Sequence, residues 1–452
     1  MAKLVDSFRV SPPPGSVPTI SVPLTYFDIP WVPNPPVQRL FFYEFPHPTS
    51  HFIETTLPML KRSLSLTLQH FFPYAANIMC PQPPGKPYIH YMEGDFVAFT
   101  VAESAADFNH VIANYPRPVK LLHPFVPQLP SEHVTEDGSR VLPILAFQVT
   151  VFPNFGICIG STYCHAVGDG KSFMHLMRSW TSVYRSGGDL TCLENSLPFF
   201  RRDIIKDPGA IELVLLKNYW DWVSSSGENS ASTQDIAADK VRATFVLGRV
   251  HAERLKRLVT AQCRSSVDTE QYHISTFVVT CAYIWVCLIK SKESVANNLS
   301  HDNGDDELYY FLFPYDSRNR LEFWVPTTYL GNCLKPCAIE IKKREVLGES
   351  GIILAAKAIG KGIKEMERSD KRIGTMTGRF TVVAGSPKLQ VYETNFGWGR
   401  PCKVELTHID YDGAISLAEC RDGESGVEVG VALNKNEMDE FLTNFEQSLK
   451  VL

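Results

Sequence analysis

The pair of residues with the clearest catalytic potential in this sequence is His165 and Asp169, which are four positions apart with Gly168 between them. A neutral imidazole can take a proton from a hydroxyl group, so His165 is a candidate general base. The pattern of apolar residues over 157–180 predicts the secondary structure around the pair. An apolar strand ends before His165, a glycine-containing turn follows, and an amphipathic helix begins after Asp169. The sequence therefore places this candidate base where a buried strand meets a helix.

The spacing of this pair is a weak indication by itself, because short motifs recur by chance. Three further pairs have the same spacing but lack an apolar strand before them or a helix after them: His133 with Asp137, His301 with Asp305, and His408 with Asp412. Context alone separates His165 from these copies. A purely structural histidine remains the alternative interpretation.

Composition limits the class of protein. A chain of 452 residues with 44% hydrophobic and 21% charged residues is typical of a globular protein of two domains. The formal charge is −5 with no basic run, so we expect no nucleic-acid partner. Charged residues precede any apolar run at the N-terminus, and no stretch is long and apolar enough to cross a bilayer. We expect a cytoplasmic protein, without membrane attachment, that acts as a monomer.

The 11 cysteines are scattered and form no Cys-x-x-Cys pair. We therefore predict reduced thiols that pack as small apolar side chains, with no disulfide framework. No further cluster of metal ligands accompanies His165 and Asp169, so we predict no metal site. A metal-dependent hydrolase stays open as a remote alternative, and it predicts loss of activity on chelation.

The order of the predicted elements indicates an α/β protein with mixed sheets, because strands and helices alternate without a strict βαβ pattern. Between residues 190 and 239 the composition shifts and ends in the low-complexity run 224–233, which is typical of a flexible crossover. We place the domain boundary there. The predicted division is an N-terminal domain of residues 1–189, a crossover of residues 190–239 and a C-terminal domain of residues 240–452.

Five spaced motifs resemble those of the plant BAHD acyl-CoA transferases. Two are the family signatures, the His-x-x-x-Asp motif at residues 165–169 and Asn-Phe-Gly-Trp-Gly at residues 395–399, where the family usually has Asp-Phe-Gly-Trp-Gly. Three more resemble the clade that acts on flavonoid and anthocyanin glycosides: LTYFDIPW at residues 24–31, YLGNC at 329–333 and GSPKL at 385–389. The resemblance runs almost from end to end of the chain.

This resemblance implies two similar domains of the chloramphenicol-acetyltransferase type, each a mixed β-sheet with flanking helices, and a channel at their interface. It also implies acyl-CoA as co-substrate, a phenolic glycoside as acceptor and no bound cofactor. In such a site His165 removes the proton of a sugar hydroxyl as its oxygen attacks the thioester, and the acyl group transfers directly. An ordinary histidine pKa of about 6.5 leaves the imidazole largely neutral at cytosolic pH.

The resemblance assigns roles to further residues. Asp169 would form an ion pair with Arg318 of the second domain rather than act on the substrate. Backbone amides at Gly385 and Ser386, or the Ser386 hydroxyl, would be near the oxyanion, with a simple turn as the alternative. The residues that would give structural support are Gly168, Asn395, Gly397, Trp398 and Gly399. From the sequence itself, Lys256 on the predicted helix 251–261 and Ser275 before the next helix are candidates for contact with CoA, and a solvated helix face is the alternative for the cations of that helix.

The loop and wall of the channel depart from the family pattern at two places. Asn395 replaces an aspartate, which removes a charge and predicts a looser loop, and residues 366–383 are shorter than usual. A second function therefore stays open, a catalytically weak relative that binds phenolic glycosides or CoA esters without turnover. Phe173 is a candidate for contact with the acyl group of the substrate. The resembled family has an arginine at this position in some malonyl-transferring members, so we favour a hydroxycinnamoyl donor over a malonyl donor. Lys171 and Arg178 lie near enough to bind a malonyl carboxylate instead.

Overall fold

The computed structural model describes residues 2–225, 239–265, 273–297, 307–366, 376–410, 414–423 and 426–451. Its strands are β1 (Ala2–Val10), β2 (Ile20–Pro23), β3 (Val37–Glu44), β4 (Asn77–Cys80), β5 (Tyr88–Tyr91), β6 (Val97–Ser104), β7 (Arg117–Pro118), β8 (His133–Val134), β9 (Arg140–Pro143), β10 (Leu145–Phe152), β11 (Gly156–Tyr163), β12 (Lys240–Leu247), β13 (Leu308–Asp316), β14 (Leu334–Lys342), β15 (Arg379–Gly385), β16 (Lys403–Leu406), β17 (Ala414–Glu419) and β18 (Val427–Asn434). Its α-helices are α1 (Thr49–His51), α2 (Leu57–Leu68), α3 (Phe108–Ile112), α4 (Gly170–Arg185), α5 (Ile211–Ser225), α6 (Arg249–Ser265), α7 (Thr276–Asn297), α8 (Lys343–Leu347), α9 (Gly351–Glu365) and α10 (Lys435–Val451).

The sheet that carries the candidate base has the strand order β1-β6-β10-β11-β3-β16. Every residue of β10 and β11 is buried, because their alternate side chains enter two different cores. Ile157 and Ile159 pack on the face that α2 and α4 cover, whereas Cys158 packs on the opposite face. Trp180 joins the two helices by donating from Nε1 to the Leu60 carbonyl at 3.2 Å. Strand β11 is thus a rigid, buried support for the turn that carries His165.

The second large sheet has the order β14-β13-β15-β17-β18-β12-β7. Parallel pairs join β13 to β15 and β15 to β17, while β12 and β18 are antiparallel. Its core lies against α7, α9 and α10. The fold is therefore α/β with mixed sheets, as the sequence predicts.

Two strands cross between the halves of the chain. Strand β7 comes early in the sequence but pairs with β12 in the second sheet, and β16 comes late but pairs with β3 in the first. A small third sheet, β2-β5-β4-β9-β8, covers part of the first half. The sequence predicts one strand over residues 141–150. The structure divides it into β9 and β10, because β9 ends at Pro143, which has no N–H group to continue the ladder.

The spacing of apolar residues predicts a helix over residues 52–72. In the structure the helical segment begins sooner, at Thr49, and ends sooner, at Leu68. Helix α1 leads into a π-helical turn, Phe52–Thr56, and then into α2, which carries Pro58 in its first turn. Proline lacks the N–H group that would bond four residues back, so the wider turn falls where a regular α-helical bond cannot form. The predicted apolar face is present, with Leu57, Leu60 and Leu64 buried.

The crossover expected to be flexible contains an ordered helix, α5, which corrects that part of the prediction. Leu216 and Tyr219 bury their side chains in the core of the first half, and Trp220 donates from Nε1 to the Gly85 carbonyl at 3.0 Å.

Four of the predicted features lie wholly or partly outside the described residues: residues 226–233 of the low-complexity run, residues 367–375 of the short segment, the pair His301 with Asp305, and Asp412. Within the described ranges, no helix has the length and apolar character to cross a membrane.

Candidate active site

The turn that presents His165 is shaped by close packing. After β11 the chain forms a 3₁₀ turn, His165–Val167, and α4 then starts at Gly170 with Asp169 as its N-cap. Gly168 has an extended backbone (φ 171°), so left-handed geometry is not the reason for glycine here. A Cβ at this position would lie 2.8 Å from the Ser172 Cβ. The glycine therefore lets the turn pass directly over the first turn of α4.

His165 is a partly exposed residue, while its Nδ1 is buried and has no hydrogen-bond partner among the described residues. Trp31 stacks on the ring with a centroid distance of 3.8 Å and an interplanar angle of 16°. Asn332 donates from Nδ2 to the His165 carbonyl oxygen at 2.9 Å. The base is therefore held from two sides, by an N-terminal segment and by a segment from the second half.

The surroundings of His165 favour its neutral form. Burial lowers its pKa below the ordinary value of 6.5, although the charge of Asp169, the nearby polar side chain of Asn332 and the charge of Asp28 act in the opposite direction. A neutral imidazole at pH 7 is the form that can accept a proton. The electrostatics therefore fit a general base.

Asp169 forms the ion pair with Arg318 that the resemblance implies. Arg318 Nη1 lies 2.8 Å from Asp169 Oδ2, and both side chains are almost completely buried. The same oxygen accepts from the Cys333 N–H at 3.2 Å, and Oδ1 accepts from the Ser172 N–H at 3.1 Å. Burial alone would raise the pKa of Asp169, but Arg318 outweighs it and holds the pKa below its ordinary value. Both carboxylate oxygens are therefore engaged away from the His165 ring.

Asp28 links the N-terminal segment to the loop at residues 329–333. Its Oδ2 accepts from the N–H and the hydroxyl group of Thr25, at 2.9 and 2.7 Å. Its Oδ1 accepts from the Asn332 backbone N–H at 3.0 Å and from Asn332 Nδ2 at 2.9 Å. Asn332 thus connects a fully buried carboxylate to the backbone of the candidate base.

Sequence reasoning missed Arg202, which comes from the predicted crossover and is 5% exposed. Its Nη1 donates to the Tyr329 hydroxyl at 2.7 Å and lies 3.9 Å from Asp28 Oδ2. A Cβ at Gly331 would lie 1.5 Å from the same Nη1, so only glycine leaves room for this guanidinium. The sequence around Arg202 does not indicate its burial, because a charged side chain is ordinarily exposed even between apolar neighbours.

The loop at residues 385–389 lies against the start of α4. Gly385 has φ +75°, a left-handed conformation, and a Cβ there would lie 2.7 Å from the Leu417 carbonyl oxygen. Ser386 is partly accessible and its Oγ accepts from the Lys388 N–H at 3.2 Å. Leu389 packs on Gly170, and Arg178 Nη1 donates to the Leu389 carbonyl at 3.0 Å. The loop is therefore fixed beside the turn of His165, and the Ser386 hydroxyl proton is not committed to the Lys388 contact.

Phe173 is completely buried and stacks on Tyr163 at a centroid distance of 4.3 Å. In this structure it offers no surface to a substrate, which corrects the expectation that it contacts the acyl group. Of the two nearby cations, Lys171 lies 3.6 Å from Asp316 and Arg178 bonds to the 385–389 loop. Both are thus engaged with protein groups.

The loop at residues 395–399 is a packing element. Trp398 lies in an aromatic cluster with centroid distances of 5.2 Å to Phe396, 5.4 Å to Tyr184 and 5.7 Å to Phe45. Asn395 Oδ1 accepts from the N–H groups of Gly397 and Gly399, at 2.7 and 3.2 Å. A neutral amide oxygen supplies these bonds, so the expected loosening of the loop does not follow from the lost charge.

The CoA-binding candidates lie on the second half. Lys256 belongs to α6, where it pairs with Glu253 at 2.8 Å and lines an open groove with Arg257 and Thr260. Ser275 precedes α7, and its Oγ accepts from the Val278 N–H at 3.3 Å, the contact of a helix N-cap. Neither residue contacts the turn of His165 in any hydrogen bond or ion pair of the described residues. Within those same ranges no group of three or more metal-ligating side chains comes together.

Comparisons with known proteins agree with this arrangement. A family model of the transferase family matches residues 9–448. The Arabidopsis thaliana coumaroyl-CoA:anthocyanidin 3-O-glucoside-6''-O-coumaroyltransferase 1 is 40% identical, with 99% of this chain and 97% of that protein covered. A Dahlia pinnata malonyl-coenzyme A:anthocyanin 3-O-glucoside-6''-O-malonyltransferase is 38% identical over the same shares.

Among solved structures, vinorine synthase shares the fold, with a TM-score of 0.67 at 17% identity, and covers 97% of this chain and 96% of its own. F. graminearum TRI101 in complex with ethyl coenzyme A has a TM-score of 0.63 at 13% identity and covers 93% and 96%. These likenesses concern the fold. Together with the family match over nearly the whole sequence, they show that the chain belongs to the transferase family of BAHD acyltransferases.

Proposed function

We propose that this protein transfers an acyl group from acyl-CoA to a sugar hydroxyl of an anthocyanin, flavonoid or other phenolic glucoside, with His165 as general base. The observation that carries the proposal is the state of His165: it is partly accessible, it is held by Trp31 and Asn332, and burial lowers its pKa. The similar transferases named above act on anthocyanidin or anthocyanin glucosides.

The transfer follows from ordinary acyl chemistry. Because Nδ1 is buried, we assign the base to Nε2. The hydroxyl proton passes to Nε2 as the oxygen attacks the thioester carbonyl, and a C–O bond forms. The tetrahedral adduct then collapses, the C–S bond breaks, and the sulfur takes the proton from the imidazolium. Ester and CoA thiol leave, His165 is neutral again, and no acyl-enzyme forms.

The other groups around the turn have supporting parts in this proposal. The ion pair of Asp169 with Arg318 fixes the turn that carries His165, since each charge satisfies the other in a buried place. Amides at Gly385 and Ser386, or the Ser386 hydroxyl, stabilise the oxyanion, supported by the packing of that loop on Gly170. Lys256 and Ser275 remain candidates for CoA contacts on the second half.

We also propose two domains, residues 1–189 and 240–452, with the crossover 190–239 and the site at their junction. The contacts of His165 support this, because Trp31 comes from the first range and Asn332 from the second. A cytoplasmic monomer is part of the same proposal. The free thiols of the described cysteines fit a reducing compartment, and light scattering of the purified protein measures the oligomeric state.

For the donor, the proposal is a hydroxycinnamoyl group rather than a malonyl group. A malonyl carboxylate needs a cation, whereas Lys171 and Arg178 are engaged with Asp316 and the Leu389 carbonyl. Incubation with equal coumaroyl-CoA and malonyl-CoA on one anthocyanidin 3-glucoside, followed by mass analysis of the products, should give mainly the coumaroyl ester. A malonyl ester as main product would reverse this assignment.

The experiment that tests the function follows free thiol release and ester formation together. Purified protein with coumaroyl-CoA and an anthocyanidin 3-glucoside should release thiol only when both are present. His165→Gln should lower kcat about 10²- to 10⁴-fold, whereas His133→Gln, in an exposed copy of the same spacing, should keep full activity. Binding without thiol release for coumaroyl, caffeoyl and malonyl donors would instead support the weak relative that only binds.

A further inference from the structure

The N-terminal motif at residues 24–31 places an aromatic ring directly on the candidate base. The indole of Trp31 and the imidazole of His165 are nearly parallel, with 3.8 Å between ring centroids and 16° between planes. A protonated imidazole at this distance would lie on the π face of the indole. Tryptophan binds cations on that face more strongly than other aromatic residues, within about 6 Å of the ring centroid.

The position of Trp31 is fixed by the buried contacts of Asp28. The Trp31 N–H donates to the Asp28 carbonyl at 3.0 Å, within the short 3₁₀ turn Ile29–Trp31. Asp28 is in turn held by Thr25 and by both N–H donors of Asn332. Because Asn332 also bonds to the His165 carbonyl, the two stacked rings are positioned by one connected set of hydrogen bonds.

Among the described residues, His165 forms no ion pair, although the charges of Asp169 and Asp28 reach it. Asp169 on its own turn is paired with Arg318, and Asp28 on the N-terminal turn is occupied by Thr25 and Asn332. His408, from the turn after β16, adds no negative charge, since burial lowers its pKa to about 4 and keeps it neutral. Tyr163, at the end of β11, is also neutral because burial raises its pKa. The charges of Asp169 and Asp28 favour the imidazolium from their own ion pairs and hydrogen bonds, whereas the Trp31 ring lies in direct contact with the imidazole.

We propose that Trp31 stabilises the imidazolium that His165 becomes when it accepts the hydroxyl proton, and thereby lowers the barrier to acyl transfer. Trp31 is thus a positioning residue that acts through His165. This role rests on the proposed function. The proton balance is unchanged: the proton moves from the acceptor oxygen to Nε2 and then to the CoA sulfur, while the π face only stabilises the intermediate cation.

The test compares Trp31→Phe and Trp31→Leu with the unchanged protein. Loss of the π face destabilises the cation, so the pKa of His165 falls and the acidic limb of kcat/KM moves to lower pH. For Trp31→Leu we expect a shift of about half to one pH unit and, because the same cation stabilisation is lost, about a 3- to 10-fold lower kcat. Trp31→Phe keeps a weaker π face, so its kcat and its His165 pKa should lie between those of Trp31→Leu and those of the unchanged protein.

A second measurement does not depend on turnover. NMR titration of isotope-labelled histidine, with His165 assigned by its loss in His165→Gln, should show the same order of pKa values. Trifluorotryptophan placed at position 31 alone keeps the shape but weakens the π face, and should also lower the pKa of His165. Equal His165 pKa values in all variants would overturn the proposal even if Trp31→Leu were less active. Full activity of His165→Gln would instead overturn the proposed function.

Discussion

His165 and Asp169 have different tasks although they share one motif. His165 keeps accessible surface and has one buried nitrogen without a partner among the described residues, whereas both oxygens of Asp169 are bonded within the protein. A carboxylate committed in this way cannot orient the imidazole as in a hydrolase triad. The motif therefore combines a base with the N-cap and ion pair that hold its turn.

Asp169→Asn should damage stability and activity together. It leaves the buried Arg318 with only the partly exposed Asp316 as counter-charge, and breaking a buried pair costs up to about 3–5 kcal/mol. Thermal unfolding followed by circular dichroism measures the loss. Asp203→Asn is the matched control, because its pair with Arg201 is exposed and its melting temperature should be unchanged. A fully stable Asp169→Asn protein that had lost all activity would show a catalytic role for the carboxylate.

The pH dependence of kcat/KM should report the neutral form of His165. Since burial lowers its pKa, the acidic limb should have its midpoint below 6.5, with a level profile from about pH 7 to 8. The residual kcat/KM of His165→Gln should not decrease over this acidic range of pH. A midpoint well above 6.5 would mean that the carboxylates outweigh burial.

Among the elements of the fold, three short irregular segments pack together to form the site. The turn after β11, the turn that contains Trp31 and the loop at residues 329–333 meet at His165. The side chain of Arg202 fills the gap behind them, beside Gly331. Each segment is irregular in itself, and its hydrogen bonds are completed by the others.

The 395–399 loop gives a prediction at this scale. Asn395→Asp should leave the melting temperature nearly unchanged, since Oδ1 can still accept from Gly397 and Gly399. Asn395→Ala removes both bonds and should cost about 1–2 kcal/mol, at about 1 kcal/mol per bond. Chemical denaturation of the two variants in parallel separates these outcomes. A large gain in stability for Asn395→Asp would show that the loop needs the missing charge after all.

At the scale of the molecule, buried charges join the two large sheets. Glu405 on β16 of the first sheet lies 2.7 Å from Arg117 and 2.9 Å from Arg242, which are on β7 and β12 of the second. Arg242 also lies 2.9 Å from Asp410. Burial would raise the pKa of Glu405, but Arg242, Lys403 and Arg117 outweigh it and lower the pKa to about 2. The exchanged strands are therefore joined by charge as well as by backbone pairing.

Glu405→Gln should destabilise the whole protein at pH 7 by about 3–5 kcal/mol, because two buried arginines lose a shared partner. The contribution of Glu405 is complete above its unfolded pKa near 4.5 and is lost as the pH falls toward 2. The difference in melting temperature between variant and parent should therefore shrink with acidification below about pH 4.5. Glu132→Gln, in a partly exposed pair with Arg140, is the control with little effect. An unchanged melting temperature for Glu405→Gln would contradict this role.

The sequence by itself determines the local parts of this protein. The apolar run before His165 and the amphipathic pattern after Asp169 are sufficient to predict β11, the turn and α4, because such preferences depend on neighbours within a few residues. The spaced motifs predict the family to which the chain belongs. The resemblance to that family in turn predicts the ion pair of Asp169 with Arg318. The ordered helix α5 was not predicted, since its packing partners lie far along the chain.

Only the tertiary structure decides what surrounds the base. Trp31 stacks on a residue far along the chain, Asn332 bonds to His165 across 167 positions, and Arg202 is buried although charged side chains are ordinarily exposed. The exchange of β7 and β16 between the sheets is equally invisible in local patterns. Such contacts depend on how whole surfaces pack and on which buried polar groups can form hydrogen bonds with one another. The spacing of residues that are near in sequence predicts neither of these.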